Sequence, residues 1–481
     1  MQSDDSIKIP REIHSFFGNP GGHSLIVRGI AGAGKTTFAL QVVEDLAAVE
    51  SSYYYSTRVS DTSLFLQFPW LKEKLGKEGE AKPASSNASR SALAGLKGIA
   101  SNRRAEGKGI VSVSIGKELG DIEAMYEAVE KAGQRSLVVI DSIDALAERY
   151  SLSCVNLINT LQKDLVEGKS ANLVFVLESP EPMLDYLGDG VVRLGLDEHE
   201  GRRTRVIDLL KLRGIEIRQP KYLYTLKGGR IQSFEYHCGK RPRSESSWAP
   251  LADKEPRVST GIADLDALLG GGAEKGSVVL IELGNGVPTT VINAIEDALV
   301  ANFVSTGRGV VWMPVRKSSA ENAKARLMDF VPADKFDKLV RIPELASAMD
   351  QAAGPFVMAV EGASVAADLR WPNLSYALQG AASPWLTLMA FDALESMYGP
   401  TVMDQLTEHL AAMKRNNGVF VGVTSRSTAS AQRVKDLSTA HIKLERIGGT
   451  VVLFGEEPYT ECNAVIQNGG SNGGITLTPI V

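Results

Sequence analysis

The sequence predicts an α/β fold of two tandem domains, each a mostly parallel sheet flanked by helices. Short apolar strands alternate with segments of helical length in both halves of the chain, an alternation typical of parallel sheets covered on both faces. Two motifs also recur about 250 residues apart, since Thr36 and Asp141 have counterparts in Thr289 and Asp392. This repeat indicates a duplicated domain.

Composition excludes several classes of protein. The chain has 481 residues, 44% of them hydrophobic, so it can bury cores of normal size without disulfides or structural metals. Its three cysteines are far apart, and its formal charge of −5 does not indicate a general nucleic-acid-binding surface. The sequence has no signal-peptide pattern and no apolar run long enough for a membrane span, so we expect a cytoplasmic protein with no membrane partner.

Weakly patterned segments divide the chain. We predict a first domain at 1–240, a polar linker at 241–256 and a second domain at 257–481. Residues 76–108 are rich in Ser, Ala, Gly and basic residues, which predicts a mobile insertion in the first domain. A glycine-rich stretch begins at Asn468, and the apolar residues after it favour a last strand.

The first domain contains a phosphate-binding loop. Gly29–Thr36 matches G-x-x-x-x-G-K-[ST], between an apolar strand and an amphipathic helix. Backbone amides of such a loop wrap an anion at a helix N-terminus, while Lys35 is expected on the β and γ phosphates and Thr36 on Mg²⁺. The alternative is an unrelated glycine turn. The predicted nucleotide contacts are Gly29, Ala31, Gly32, Ala33, Gly34, Lys35, Thr36 and Thr37.

Asp141 is the second candidate metal residue. It ends the apolar strand that precedes Ser142, where a carboxylate holds Mg²⁺ through water in phosphate-loop proteins. Its alternative role is a helix cap. We therefore predict ATP and Mg²⁺ as cofactors, with Thr36 and Asp141 at the metal.

The second half has lost the phosphate loop. Pro288 stands where Lys35 stands in the first half, and Val287 stands where Gly34 stands. Proline supplies neither a cation nor an amide donor, and valine does not easily take the positive φ of a glycine. One working nucleotide site per chain follows, and Asp392 is expected to be structural.

These motifs resemble the RecA-superfamily ATPases of the KaiC type. The segment Arg257–Glu282 resembles the opening of a KaiC domain, and Asp189–Gly214 resembles its closing hairpin with the K-x-R-G signature. The resemblance implies two RecA-like domains, self-association in a ring or filament, and a role for Lys211 and Arg213 at the γ-phosphate of a neighbouring subunit. The alternative for this hairpin is a charged strand on a solvated sheet.

One departure from that family bears on hydrolysis. KaiC-type domains usually carry an acidic pair after the second strand, one member of which polarises the attacking water. Arg58 and Val59 stand at that place here. We therefore expect low ATPase activity, unless Asp61 or Glu178 replaces the missing carboxylate.

Two further segments resemble the archaeal GvpD branch, whose members are regulators associated with gas-vesicle gene control. They are Ser56–Ser60 and Phe68–Leu71. GvpD proteins also have arginine-rich regions, although such charge runs are more often solvated faces. The candidate basic residues are Arg202, Arg203, Arg205, Lys240, Arg241 and Arg243.

The favoured hypothesis is an ATP-binding regulator of KaiC/GvpD type. The state of Mg-ATP in the first domain would control assembly or the binding of a protein partner through the second domain. The main alternative is a DNA-dependent RecA-like ATPase, for which the insertion at 76–108 is the only candidate DNA-binding element in the sequence. An autokinase is disfavoured because Pro288 replaces the lysine.

Overall fold

The chain divides into two compact units. The first holds residues 1–235 together with Val481, and the second holds residues 236–480. The computed structural model describes residues 8–46, 51–57, 61–71, 111–115, 122, 125–126, 129–130, 135–236, 248–315, 318–348, 354–467 and 474–481. Residues Arg58 and Val59 and the predicted insertion at 76–108 lie outside these ranges, as do Lys240, Arg241 and Arg243.

The described part of the first unit forms a nine-stranded sheet in the order β3-β2-β4-β5-β1-β6-β7-β8-β9. The first six strands of this order, from β3 to β6, run parallel to one another. Strands β7, β8 and β9 then continue the sheet with antiparallel pairing. Their bounds are β1 (Ser24–Gly29), β2 (Ser51–Ser56), β3 (Val111–Ile115), β4 (Ser136–Asp141), β5 (Asn172–Val176), β6 (Gly190–His199), β7 (Arg202–Leu212), β8 (Lys221–Thr225) and β9 (Gln232–Phe234).

Helices cover both faces of this sheet. The described α-helices are α1 (Arg11–Gly18), α2 (Lys35–Leu46), α3 (Asp61–Gln67), α4 (Ile143–Arg149) and α5 (Cys154–Leu161), and a π-helical stretch (Gln162–Glu167) continues α5. Successive residues of a strand point to opposite faces. Leu25 accordingly joins the core that contains Phe38 of α2, whereas Ile26 joins the core that contains Leu146 of α4. Burial on both faces explains why these strands read as continuous apolar runs.

The second unit repeats this plan. Its described residues form a ten-stranded sheet in the order β15-β14-β13-β16-β17-β12-β18-β19-β20-β21 and a small pair, β10 with β11. The bounds are β10 (Arg257–Val258), β11 (Ala273–Glu274), β12 (Val278–Leu283), β13 (Arg308–Met313), β14 (Val340–Leu345), β15 (Val357–Val360), β16 (Ala382–Ala390), β17 (Val419–Ser425), β18 (Ala440–Ile447), β19 (Thr450–Glu457), β20 (Asn463–Gln467) and β21 (Ile475–Pro479).

Ten described α-helices flank the second sheet. They are α6 (Ala263–Leu268), α7 (Thr289–Ser305), α8 (Ala320–Leu327), α9 (Ala333–Leu339), α10 (Val365–Asp368), α11 (Trp371–Ala377), α12 (Phe391–Tyr398), α13 (Val402–Gln405), α14 (Thr407–Arg415) and α15 (Ala431–Leu437). Among the residues that the structure describes, no helix is both long and apolar enough to cross a membrane.

The two sheets share one strand order. The run β2-β4-β5-β1-β6-β7 in the first unit corresponds to β13-β16-β17-β12-β18-β19 in the second. The central strands are β1 and β12, which lead into the helices α2 and α7. Each pairs in parallel with a strand on either side, and the antiparallel extension begins after β6 or β18. The predicted α/β fold with two mostly parallel sheets is confirmed.

Part of the predicted linker packs against the second unit. Trp248 is buried, its ring meets Phe330 edge to face, and its indole N–H donates to Asn302. Asp253 pairs with Arg308 at the start of β13. Residues from 248 onward therefore contribute to the core of the second unit.

Helix α7 carries two fully buried carboxylates. Glu296 and Asp297 share the guanidinium of Arg326, at 3.4 Å and 3.1 Å, and the Val315 N–H donates to Glu296 Oε1. One cation does not fully neutralise two buried anions. Burial, together with the neighbouring charge of Asp297, raises the pKa of Glu296 to about 8.

This pKa predicts a pH-dependent stability. Between the ordinary value of 4.5 and about 8, folded Glu296 keeps a proton that the unfolded chain has released. The free energy of unfolding should therefore fall as the pH rises through this window, by up to about 1.4 kcal/mol per pH unit. Glu296→Gln should flatten this slope in urea unfolding measured from about pH 5 to about pH 8.

Glu408→Gln is the matched control, because Glu408 is exposed on α14 and should leave the slope unchanged. Burial lowers the pKa of His409, which acts in the opposite direction but equally in all three proteins. Equal slopes for Glu296→Gln and the wild type would show that Glu296 is ionised in the folded state.

Candidate functional site

The phosphate loop lies at the carboxyl end of β1. It leaves the sheet after Gly29 and enters α2 at Lys35. Gly32 and Gly34 have φ of 78° and 83°, in the left-handed region that favours glycine. A Cβ on Gly34 would lie 3.0 Å from the side chain of Leu226, so a side chain at this position would require Leu226 to move.

Lys35 is the first residue of α2, and its side chain folds back over the loop. Its Nζ donates to the carbonyl oxygen of Gly29 at 2.8 Å and to that of Ile30 at 3.3 Å. The side chain is only 8% exposed, so these carbonyls compensate a nearly buried charge. The ammonium group therefore lies directly above the loop.

One carboxylate oxygen at the end of β4 connects helix α2 and strand β2. Oδ2 of Asp141 accepts hydrogen bonds from the hydroxyl of Thr36 at 2.7 Å and from the hydroxyl of Tyr54 at 2.5 Å. Burial raises the pKa of Asp141, and the two hydrogen bonds oppose that rise. The structure thus brings together Thr36 and Asp141, and it adds Tyr54, which the sequence motifs did not identify.

Glu178 also reaches this site. Strand β5 ends at Val176, and Glu178 lies in the loop that follows. Its N–H donates to Asp144 Oδ2 at 2.6 Å, and its carboxylate lies 4.0 Å from Lys35 Nζ. Glu178 is therefore an acidic side chain beside the loop lysine, and 39% of it is exposed.

Lys211 and Arg213 lie at the opposite end of the strands from the phosphate loop. Lys211 is opposite Val191, close to the start of the parallel strands, whereas the loop follows their ends. The Lys211 ammonium group donates to the Gly188 carbonyl, and the Arg213 guanidinium group donates to Asp189 at 2.8 Å. The structure does not bring these two residues to the phosphate loop of their own chain.

Two residues of the antiparallel extension contact the back of the loop. The guanidinium group of Arg205 donates to the Gly32 carbonyl at 3.0 Å, and the Tyr224 hydroxyl donates to the Ala33 carbonyl. In the sequence, Arg205 is one member of a basic run, and no motif indicates a role for Tyr224. The members of that run differ, since Arg202 is buried and Arg203 is exposed.

The other candidate carboxylate for hydrolysis is Asp61. The structure begins α3 at this residue. Its side chain lies outside the part of the chain whose side chains are described. Glu178 is thus the proposed substitute carboxylate whose position the structure gives.

The second unit has a different turn at the equivalent place. Helix α7 begins at Thr289, with Pro288 as its N-cap residue and Val287 buried. Proline has no N–H, and Val287 buries a side chain at the place where the first unit has a glycine. Asp392 lies half-buried in the first turn of α12. This end of the second sheet has neither the cation nor the loop of the first.

The first unit thus combines a RecA-like strand order with a phosphate loop and an acidic residue at the end of a neighbouring strand. Two family models match the chain: the GvpD gas vesicle protein P-loop domain at residues 13–212, and GvpD basic region 2 at residues 247–349. These features define a P-loop protein.

Known proteins similar to this chain support its assignment as a P-loop protein. Protein GvpD2 of Halobacterium salinarum is 26% identical over 98% of this chain and 96% of its own length. Protein GvpD1 of the same organism is 22% identical over 99% and 97%. The circadian clock oscillator protein KaiC of Thermosynechococcus vestitus is 26% identical over 62% of this chain and 55% of its own length. The chain is a RecA-superfamily P-loop protein of the KaiC/GvpD type.

Basic side chains in the segment matched as basic region 2 are held within the second unit. Arg326 binds the two buried carboxylates of α7, and Arg341 is surrounded by carbonyl oxygens, including that of Ala377. Burial lowers the pKa of Arg341. Further pairs are Lys275 with Glu255, Arg308 with Asp253, and Lys324 with Asp337. These cations stabilise the fold of the unit.

The different turns predict one bound nucleotide per chain. Equilibrium dialysis of the full chain against Mg-ATP should saturate at about one nucleotide per polypeptide, because the second unit lacks the lysine and the glycine of the loop. Lys35→Ala should remove that binding without exposing a second site. Saturation at about two nucleotides would contradict the assignment of the second unit as degenerate.

Proposed function

We propose that the chain is a nucleotide-controlled regulator that binds Mg-ATP in its first unit. The state of that nucleotide would control self-association, or the binding of a protein partner through the second unit. The observation that carries the proposal is the geometry of the first unit, in which Lys35, Thr36 and Asp141 converge on a glycine-dependent loop.

The residues present fit a magnesium nucleotide. The positive φ angles of Gly32 and Gly34 favour a loop whose amides face an anion. The ammonium group of Lys35 donates to two carbonyl oxygens of the loop, with the Glu178 carboxylate 4.0 Å away, so it can exchange these carbonyls for phosphate oxygens. Thr36 and Asp141 offer the hydroxyl and carboxylate oxygens that Mg²⁺ prefers. Bound Mg-ATP would supply the energy difference between two states of the protein.

Glu178 supports a slow ATPase activity. Its carboxylate lies beside Lys35, at the edge of the site, and is partly accessible to water. A general base must lie within hydrogen-bond reach of the proton that it accepts, directly or through one water molecule. We propose Glu178 for this role.

We further propose that Lys211 and Arg213 act on the nucleotide of a neighbouring copy of this chain. Lys211 follows Arg205 by six residues along β7, a span of about 20 Å at the rise of a strand. A lysine side chain does not cover that distance, so its own loop is out of reach. The position of both residues therefore supports a role between subunits in a ring or filament.

The regulatory part of the proposal rests on the asymmetry of the two units and on the relatives. One unit keeps a phosphate loop, and the other keeps the fold without it. The matched family model is described as a gas vesicle protein. We therefore propose a regulatory role, in cytoplasmic gas-vesicle control or a similar process, over enzymatic turnover as the main output.

Lys35→Ala tests nucleotide binding directly. Loss of a nearly buried ammonium group that would pair with phosphate should weaken Mg-ATP binding by about 10- to 100-fold. Isothermal titration calorimetry would give the affinity, and phosphate release measured in parallel would show whether turnover is lost as well.

Lys169→Ala is the matched control, because this exposed lysine pairs with Glu130 far from the loop in sequence. Equal ATP affinity for Lys35→Ala and Lys169→Ala would reject the proposed function. Tight binding without phosphate release in the wild type would instead favour a switch that does not depend on hydrolysis.

Mixing two variants tests the role of Arg213 between subunits. Arg213→Ala should bind Mg-ATP more weakly than the wild type, because each site loses the cation that a neighbour supplies. Adding Lys35→Ala protein should restore tight binding, since this variant keeps Arg213 and can complete the site of its neighbour. Fluorescent-nucleotide titrations of each variant and of the mixture would measure this rescue.

Arg218→Ala serves as the control, because this exposed arginine pairs only with nearby Glu216 among the described contacts. It should bind ATP like the wild type. A mixture that binds no better than Arg213→Ala alone would contradict the proposed contact between subunits.

A further inference from the structure

We infer that Tyr224 and Arg205 are positioning residues that hold the phosphate loop in its anion-binding conformation. This inference rests on the proposed function, because it assigns these two residues to the same site. The antiparallel extension of the sheet then acts as the back wall of the loop.

The two residues are neighbours in the sheet. Val206 of β7 is opposite Leu223 of β8, and in an antiparallel pair this register places Arg205 beside Tyr224. They donate to consecutive carbonyl groups of the loop, those of Gly32 and Ala33. Two adjacent side chains therefore fix two adjacent peptide groups.

The contacts continue at the next residue of the loop. The side chain of Leu226, which directly follows β8, lies beside Gly34, 3.0 Å from the position that a Cβ of Gly34 would take. Hydrogen bonds thus hold Gly32 and Ala33, and Leu226 lies beside Gly34. The three central residues of the loop all have their support on one side.

Fixing the carbonyl groups also fixes the amides. In a planar trans peptide, the C=O of one residue and the N–H of the next point in opposite directions. A Tyr224 hydroxyl on the Ala33 carbonyl therefore turns the Gly34 N–H away from the back wall and toward the phosphate side. Amides oriented before the ligand arrives lower the entropic cost of binding.

Tyr224 is suited to a permanent contact. Its side chain is fully buried, and burial raises its pKa to about 12, so the hydroxyl keeps its proton and remains a donor at neutral pH. Tyr222 lies two residues earlier on the same strand, but its hydroxyl donates to Glu12 of α1. Both tyrosines therefore donate a buried hydrogen bond, Tyr222 to a carboxylate of α1 and Tyr224 to a carbonyl of the loop.

The test compares Tyr224→Phe with Tyr222→Phe in the full chain without nucleotide. Hydrogen–deuterium exchange would be followed for the amides of residues 30–36. Loss of the hydroxyl on Ala33 should speed their exchange by about 2- to 10-fold, the range expected for one net hydrogen bond. Tyr222→Phe should leave the exchange of this segment unchanged, even where it lowers overall stability.

Arg205 is tested in the same way. Arg205→Gln should also speed exchange in this segment, and Arg205→Lys should restore part of the protection because it keeps a donor. Arg203→Gln is the matched control, since Arg203 is an exposed member of the same arginine run. It should exchange like the wild type.

The outcomes separate this inference from the proposed function. Unchanged exchange in Tyr224→Phe, or equal acceleration in Tyr222→Phe, would overturn the positioning role. Titration with inorganic triphosphate then tests the ligand, and Tyr224→Phe should bind it more weakly by a similar factor. Faster exchange in a protein whose wild type binds no triphosphate would support the positioning role and reject the proposed function.

Discussion

The hydrogen bonds to Oδ2 of Asp141 are the interaction on which the candidate site depends. They join the first turn of α2, the interior of β2 and the end of β4 at one atom. The strand order places β4 beside β2 and one strand away from β1, so parallel pairing brings all three groups to the same edge. A buried carboxylate needs such partners, because burial without hydrogen bonds would be costly.

The sequence predicted the parts of this site that depend on local pattern. The loop Gly29–Thr36 and Asp141 follow from spacing, and the strands follow from apolar runs between turns. Tyr54 and Tyr224 could not be predicted in this way, because their hydroxyl groups meet the site only through sheet register and packing. The sequence identified Arg205 as a basic residue, but it did not predict the contact of Arg205 with the loop. Long-range pairing leaves little trace in one sequence.

The second unit shows that the fold does not require the site. Its strand order matches that of the first unit, although Pro288 and Val287 have replaced the loop residues. Apolar strands buried on both faces stabilise the sheet whether or not the turn after β12 binds an anion. The helix after that turn, α7, is almost entirely buried and carries its own charged cluster around Arg326. A duplicated unit can therefore lose one chemistry and keep its architecture.

Strand β7 has a consequence for communication between sites. Near one end Arg205 contacts the phosphate loop of its own chain, and at the other end the strand carries Lys211 and leads to Arg213. In an assembly of the proposed kind, one strand would contact the phosphate loop of its own chain and the nucleotide of a neighbour. A shift of the loop in one subunit would then displace β7, and with it Lys211 and Arg213. The occupancy of one nucleotide site would in this way affect the affinity of the next.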